Sequence, residues 1–399
     1  MSASNGSVSG SKMSGREVVI VEAARTPIGR GHPTKGWYRD IHPNELLGAT
    51  YTALLDRSGI DPAVVGDVVA GAVTQVGEQS NNIARNAWLQ AGLPITTPAT
   101  TIDRACGSAQ TAVSFAAGMV ASGMHDVAIA GGVEHMGRVP MGSNVAHADE
   151  FGIPYPPELM ERYALVPQGE SAERIAEKWG ITREEQDALG VRSHQRAAQA
   201  TEEGRFEREI VPIEADDELR KTDQGIRPGT SPEVLAGLRT AFREDGTVTA
   251  GNASQISDGA AALLLMTREK AEELGLKPRA RIYDALTVGV DPVMMLTGPI
   301  PATRTLLERN GLSVSDIDRF EINEAFASVV LAWQKELEPD MDRVNVNGGA
   351  LALGHPLGSS GARLLTTALH ELERSDGELG LVTMCTAGGT GTGTIIQRI

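Results

Sequence analysis

Short apolar runs alternate along this chain with longer stretches whose leucines and alanines recur at helical spacing. EVVIVEAA, starting at Glu17, is unbroken and of strand length, as expected of a strand buried on both faces, and the loop ARTPIGRGHP follows it. NELLGATYTALLDRSG has the helical period and ends on Gly59, which stops a helix because glycine takes a left-handed backbone freely. DVVAGAV, residues 67–73, predicts another buried strand. After Cys106 the small-residue stretch GSAQTAVSFAAGMVASG predicts a helix, and the strand DVAIAGG follows from Asp126. After His355, PLGSSGARLLTTALHEL predicts a helix that leads to the strand LGLVTMC, ending at Cys385. Helices alternating with short apolar strands predict an α/β architecture with a largely parallel core sheet.

The pattern repeats. Residues 53–60 read ALLDRSGI and residues 305–312 read TLLERNGL, with the leucine pair, acid, arginine and glycine in register. Carried forward, the same offset sets DVVAG, from Asp67, opposite RFEIN, from Arg319. Cys106 and His355 fall within three residues of that offset, so two related halves would place them on equivalent strand-to-helix elbows. Elbows of this kind face the crevice where open α/β sheets bind ligands. Residues 137–246 differ in character: they are rich in charge, punctuated by GIPYPPE, and carry a capping-box pattern at Thr182 and Glu185. They predict an insertion folded over the core. The expected division is a flexible tail at 1–15, a first half at 16–136 completed by 247–275, the insertion at 137–246, and a second half at 276–399.

Composition narrows the function classes. With 52 acidic and 36 basic residues the 399-residue chain carries a formal charge of −16, which argues against nucleic acid or an anionic membrane as a partner. The 41% apolar and 22% charged fractions are those of an ordinary globular protein. The longest clean apolar run, residues 259–266, falls far short of the roughly 20 residues that cross a bilayer. MSASNGSVSGSKMSG has no apolar core of a secretion signal, so a soluble, cytoplasmic protein is expected. No closely spaced Cys or His pairs suggest a metal site.

Two cysteines in so long a chain draw attention to each. Cys106 follows Asp103 and Arg104 and opens a helix, whose unpaired N–H groups and dipole favour a thiolate, below the free thiol value of about 8.5. The alternative is a core cysteine packed by the surrounding alanines. His355, in NGGALALGHPLGSSGAR, sits in a constrained loop able to aim an imidazole, whereas His32, in a second Gly-His-Pro, lacks a following helix and any repeat relation to Cys106. Cys385 enters TAGGTGTGT, whose glycines either converge N–H groups on an anion or close a terminal hairpin. Asn323 in EINEAFA is a polar group for a water or carbonyl, or else a turn residue. Two thiols and one imidazole at one crevice fit acyl transfer to one sulfur with proton movement by the other.

EAARTPIGR, DRACGSAQ, GTVTAGNASQISDGAAA, EINEAFAS, NVNGGALALGHPLGSSGAR and CTAGGTGTG, in this order, resemble the thiolases, which cleave or form 3-ketoacyl-CoA by Claisen chemistry. The resemblance covers essentially the whole chain beyond the tail. It implies two βαβαβαββ halves in a five-layered core with an inserted loop domain. It also implies Cys106 as the acylated nucleophile, His355 as its base, and Cys385 as the acid/base at the α-carbon. Asn323 would hold a water beside His355 to form one oxyanion hole, and the N–H groups of Cys106 and Ala387 would form the other. Ala387 stands where the family usually has glycine. Arg227, Leu238, Phe242, Ala250, Ser254, Ala325 and Phe326 match positions lining the coenzyme A pocket. Coenzyme A is then a substrate, with no tightly bound cofactor, and the assembly a homodimer or homotetramer.

Gln168 replaces a methionine that many short-chain members place in the pocket, and NASQISDGAA and GHPLG look more like degradative enzymes. EPDMDRVNVNGGALALGHP and LLTTALHELERSDGELGLVTMC resemble the branch of actinobacterial lipid and steroid side-chain breakdown. The alternatives are a biosynthetic acetoacetyl-CoA thiolase and a non-catalytic thiolase-like lipid carrier, and the second would be expected to lose one of Cys106, His355 or Cys385. Ketoacyl synthases have histidine where Cys385 stands. A redox protein pairing the two thiols is distinguished by acetyl-CoA, which would not add acetyl mass to Cys106.

Overall fold

The computed structural model describes residues 15–146 and 148–399, so the expected tail lies outside it apart from Gly15. The strands that build the core are β1 (Val18–Arg25), β2 (Asp67–Gly71), β3 (Ala99–Ile102), β4 (Val127–His135), β5 (Ser257–Thr267), β6 (Ala280–Gly289), β7 (Arg319–Ile322), β8 (Leu379–Thr386) and β9 (Thr390–Arg398). Among the described residues they join into one 10-stranded sheet, in the order β7-β8-β9-β6-β1-β5-β4-β2-β3, with the two-residue strand Gly29–Arg30 added beside β5.

The expectation of a largely parallel sheet is corrected. β2 runs parallel to β3 and β4, and β7 to β8, but β5 is antiparallel to both β1 and β4, and β9 to both β6 and β8. Apolar runs report burial on both faces and carry no information on strand direction, so sequence period alone misleads here. β1 shows the burial: Val18 and Ile20 face one hydrophobic cluster while Val19 and Val21 face another.

The principal helices are α1 (Pro43–Ser58), α2 (Ile83–Gln90), α3 (Ser108–Ser122), α4 (Gln168–Trp179), α5 (Arg183–Glu202), α6 (Pro299–Asn310), α7 (Ala327–Leu337) and α8 (Ser360–Ser375). α3 and α8 are the central layer: Val113 and Val120 of one and Leu365 and Leu369 of the other share a cluster with Leu265 of the first half and Val382 of the second. Leu47 of α1 and Trp88 of α2 cover the outer face of the first half, and Leu306 of α6 and Trp333 of α7 that of the second. The layers run outer helices, first-half strands, central helices, second-half strands, outer helices, the two sets of strands being limbs of the one sheet.

The repeat is structural. Gly59 and Gly311 end α1 and α6 in the same left-handed conformation, φ 70° and 67°, and β2 and β7 start at Asp67 and Arg319. Where β3 lies beside β2, a parallel bridge from Phe320 to Val344 stands beside β8's neighbour β7. Within 137–246, α5 starts with the expected box: Thr182 Oγ1 accepts from Glu185 N–H at 3.2 Å, and Glu185 accepts from Thr182 N–H at 2.7 Å. This segment is pinned to the core by Arg25, fully buried, which holds Glu209 at 2.5 Å and Asp223 at 2.7 Å. Truncating Arg25 would leave two buried carboxylates unpaired, a loss of about 3–5 kcal/mol.

Candidate active site

Both predicted elbows form, and they meet. Ala105, immediately before Cys106, has φ +44°, a conformation an alanine holds only where its surroundings enforce it. They do: Asp103 accepts from Ala105 N–H at 2.7 Å, and Ser108 Oγ donates to Ala105 O at 2.6 Å while accepting from Arg104 N–H at 2.8 Å. The turn throws Cys106 to the head of α3. A Cβ on Gly107 would lie 2.7 Å from Thr386 Cγ2, so this glycine lets the end of β8, with Cys385 and Ala387, close over the nucleophile segment.

His355 follows Gly354 at φ +110°, where a Cβ would strike Ser257 Oγ at 2.2 Å, and the His355 N–H donates to that same oxygen at 3.2 Å. The loop after it is clamped by Glu134, a buried carboxylate that accepts from Gly358 N–H at 2.8 Å, Val73 N–H at 2.9 Å, Thr74 N–H at 3.0 Å and Gln79 Nε2 at 2.8 Å. A Cβ on Gly361 would lie 2.4 Å from Gln110 N, so the first turns of α3 and α8 touch backbone to backbone. This contact brings the Cys106 and His355 elbows to one place.

The imidazole tautomer follows from its partners. Ser360 Oγ donates to Pro356 O at 2.8 Å, as a first-turn helical serine does, and therefore receives Nδ1–H of His355 at 2.6 Å. Nε2 is left with its lone pair, 3.2 Å from Asn323 Nδ2. Burial, with the Arg363 charge second, pulls the imidazole down to about 3, so it is neutral across the physiological range.

The expectation of a resting Cys106 thiolate is corrected. Burial pushes its thiol up to about 11, against N–H groups of Ala387 and Cys106 itself and the Gln168 side chain, which favour the anion less strongly. Arg104 supplies no charge here; its guanidinium turns to Thr111 at 3.1 Å and Thr287 at 2.9 Å. Cys385 is raised as well, by burial and then by Cys106, and both cysteines are free and buried. Cys385 packs with Ala325, Phe326 and Met295, with Ala387 at the margin of the same cluster.

Of the other sequence-selected positions, Phe242 meets Phe326 edge-to-face with ring centroids 6.0 Å apart, Ser254 N–H donates to Ala325 O at 2.9 Å, and Leu238 packs on Gly251. Ala250 is exposed beside them. The Arg227 backbone is tied to α5, its N–H donating to His194 Nδ1 at 3.1 Å. Ser360, Glu134 and Ser257 were not picked out from sequence; Ser360 alone carried a signal, as a hydroxyl in the first turn of the helix that His355 precedes. Among the described residues no helix is long and apolar enough to cross a membrane, and no cluster of three or more His, Cys, Asp or Glu could hold a metal ion.

Comparison with known proteins identifies the family. A steroid 3-ketoacyl-CoA thiolase of Mycobacterium tuberculosis is 47% identical over 390 residues, covering 96% of this chain and 94% of its own. A 3-ketoacyl-CoA thiolase of Escherichia coli is 46% identical over 395 residues, covering 96% and 100%. The solved structure of the Bacillus anthracis acetyl-CoA acetyltransferase superposes with a TM-score of 0.89 at 40% identity, covering 97% of this chain and 100% of that one. The family models for the thiolase N-terminal domain and the thiolase C-terminal domain match residues 18–269 and 276–398 in turn, each containing one of the two elbows, and the chain therefore belongs to the thiolase family.

Proposed function

We propose that the chain is an acetyl-CoA C-acyltransferase that cleaves 3-ketoacyl-CoA with coenzyme A, in fatty-acid or steroid side-chain β-oxidation. The observation that carries this is the meeting of the two elbows, with a thiol on one and, on the other, an imidazole whose unprotonated Nε2 accepts from Asn323 Nδ2.

Cys106 Sγ attacks the 3-keto carbon as His355 Nε2 takes the thiol proton, and the new alkoxide is stabilised in the hole beside Asn323 and His355. Its collapse breaks the C2–C3 bond. The electron pair leaves as the enolate of acetyl-CoA, with its oxygen facing the N–H groups of Cys106 and Ala387, and Cys385 gives C2 a proton. His355 returns its proton to the Cys385 thiolate and then takes the thiol proton of incoming coenzyme A. That sulfur attacks acyl-Cys106 and expels the Cys106 thiolate, which recovers its proton from His355. Arg227, Leu238, Phe242, Ala250, Ser254, Ala325 and Phe326 are proposed to hold coenzyme A, Arg227 giving local positive charge on an acidic chain. The enzyme would act as a homodimer or homotetramer in the cytoplasm and hold coenzyme A only as substrate.

The chain's similarity to degradative relatives and Gln168 at the nucleophile support substrates bulkier than acetoacetyl-CoA. Thiolysis rates across ketoacyl chain lengths, with a steroid-type thioester included, test this: medium-chain or steroid thioesters should turn over, and turnover of acetoacetyl-CoA alone would overturn the degradative reading.

Ser360→Ala should lower the rate of Cys106 acylation about 10- to 100-fold, since the ring loses the acceptor that keeps hydrogen on Nδ1 and can place it on Nε2, where it blocks proton uptake. Single-turnover acetylation by acetyl-CoA measures it. A rate equal to wild type would show that the tautomer is set elsewhere.

A further inference from the structure

Gln110 lies in the first turn of α3, a few residues after Cys106, fully buried, and the proposed steps do not use it. Its amide reaches from the first half of the chain to the second. Nε2 donates to Val382 O at 3.0 Å and to Thr394 Oγ1 at 2.9 Å, and Oε1 accepts from Thr392 Oγ1 at 2.6 Å. The Val382 carbonyl can only accept, so the amide has one orientation. Val382 and Thr394 are partners across the β8–β9 ladder, and Thr392 is the partner of Met384, the residue before Cys385. One side chain therefore grips both strands of the hairpin that carries Cys385. Among the described residues no other side chain of α3 hydrogen-bonds to β8 or β9.

A second contact joins the same two elements. A Cβ on Gly107 would lie 2.7 Å from Thr386 Cγ2 and 2.9 Å from Thr392 Cγ2, so the residue after Cys385 and the partner of the residue before it both rest on the nucleophile segment. Thr392 meets Gly107 with its methyl and Gln110 with its hydroxyl. The glycine contact stops the hairpin from coming closer, and the Gln110 bonds stop it from moving away.

The approach of Cys106 to His355 has a separate origin. There α8 meets α3 through Gly361, where an added Cβ would lie 2.4 Å from Gln110 N and 2.6 Å from Gln110 Cβ. Those atoms stay in place when the rest of the Gln110 side chain is changed. The backbone of this residue thus serves the nucleophile and its base, while its amide serves the hairpin.

We propose that Gln110 is a positioning residue for the thiolase reaction, its buried amide fixing the β8–β9 hairpin, and with it the Cys385 thiol, relative to Cys106. The inference rests on the reading of Cys385 as the acid/base at the α-carbon. Releasing the amide lets the hairpin drift, and the proton transfer at C2 suffers before the thiol–imidazole chemistry does.

The test compares two rates in Gln110→Met, which keeps the length of the side chain and removes its hydrogen bonds. Acetylation of Cys106 by acetyl-CoA is followed by mass spectrometry in single turnover, and condensation of acetyl-Cys106 with a second acetyl-CoA by formation of acetoacetyl-CoA. Condensation should fall by about 10- to 100-fold more than acetylation, the cost of a catalytic group displaced by about 1 Å. A merely structural role would reduce both rates by the same factor, through the fraction of folded protein. If Gln110→Met does not fold, the triple variant with Thr392→Val and Thr394→Val replaces the hydroxyl partners by apolar groups of the same shape, a change that costs little, and should show the same split. A folded variant in which both rates are unchanged, both fall alike, or acetylation falls further would overturn the proposal. Failure of the underlying assignment of Cys385 reads out differently, as condensation at the wild-type rate in Cys385→Ala.

Discussion

Cys106→Ala should be neither acetylated by acetyl-CoA nor able to cleave 3-ketoacyl-CoA, with turnover down by about 10⁴-fold or more, as when a covalent nucleophile is deleted. The loss is chemical and not a loss of fold, because Cys106 is 3% exposed in a cluster already rich in alanine, and removing one sulfur there costs about 1 kcal/mol. No second thiol can take over. Cys385 lies on β8 across the crevice, buried and held further from ionisation than Cys106. The resting state sharpens the expectation. With the thiol at about 11 and the imidazole at about 3, no thiolate is stored, so nucleophile and base must act together as the substrate docks. Intact-protein mass spectrometry after exposure to acetyl-CoA, beside a thermal melt, decides the matter. A folded Cys106→Ala protein that still gains acetyl mass would place the nucleophile elsewhere.

That resting state was hidden in the sequence for a definable reason. A cysteine ahead of a helix suggests a stabilised thiolate, and the helix is there. Whether burial outweighs the helix end depends on what closes over the sulfur, and the closure comes from Thr386 and Ala387, far along the chain. Strand direction was hidden similarly, since β5 is apolar on both faces whichever way its neighbours run. What could be read was what the repeat carries: two helix stops at Gly59 and Gly311, two strand starts, and two elbows at equivalent points. The motif residues Cys106, His355, Cys385 and Asn323 fell within it. Glu134 did not, because its work is to join the segment after β2 to the loop after His355, far apart in sequence, and a lone glutamate near the end of a strand gives no sign of that.

Cys385→Ala should separate the two halves of the chemistry. Acetyl transfer from acetyl-CoA to Cys106 needs the nucleophile, its base and an oxyanion hole, but no proton at the α-carbon, so acetylated Cys106 should accumulate in this variant. Carbon–carbon bond formation and cleavage both require a proton to move at C2, and should fall by about 10²- to 10⁴-fold, the usual contribution of a positioned acid or base. The hairpin around it should survive the change: Cys385 pairs with Gly391 through backbone groups of β8 and β9, and the side chain is 1% exposed among Ala325, Phe326 and Met295. Alanine fits that space with a small cavity. Removing the sulfur also removes a buried neighbour whose ionisation Cys106 opposes, so the acylation step has no electrostatic reason to suffer. Mass spectrometry should find acetyl-Cys106 with little condensation product. A folded Cys385→Ala protein that stays unacetylated would mean that this thiol takes part in the first step, and the division of labour between the two cysteines would have to be redrawn.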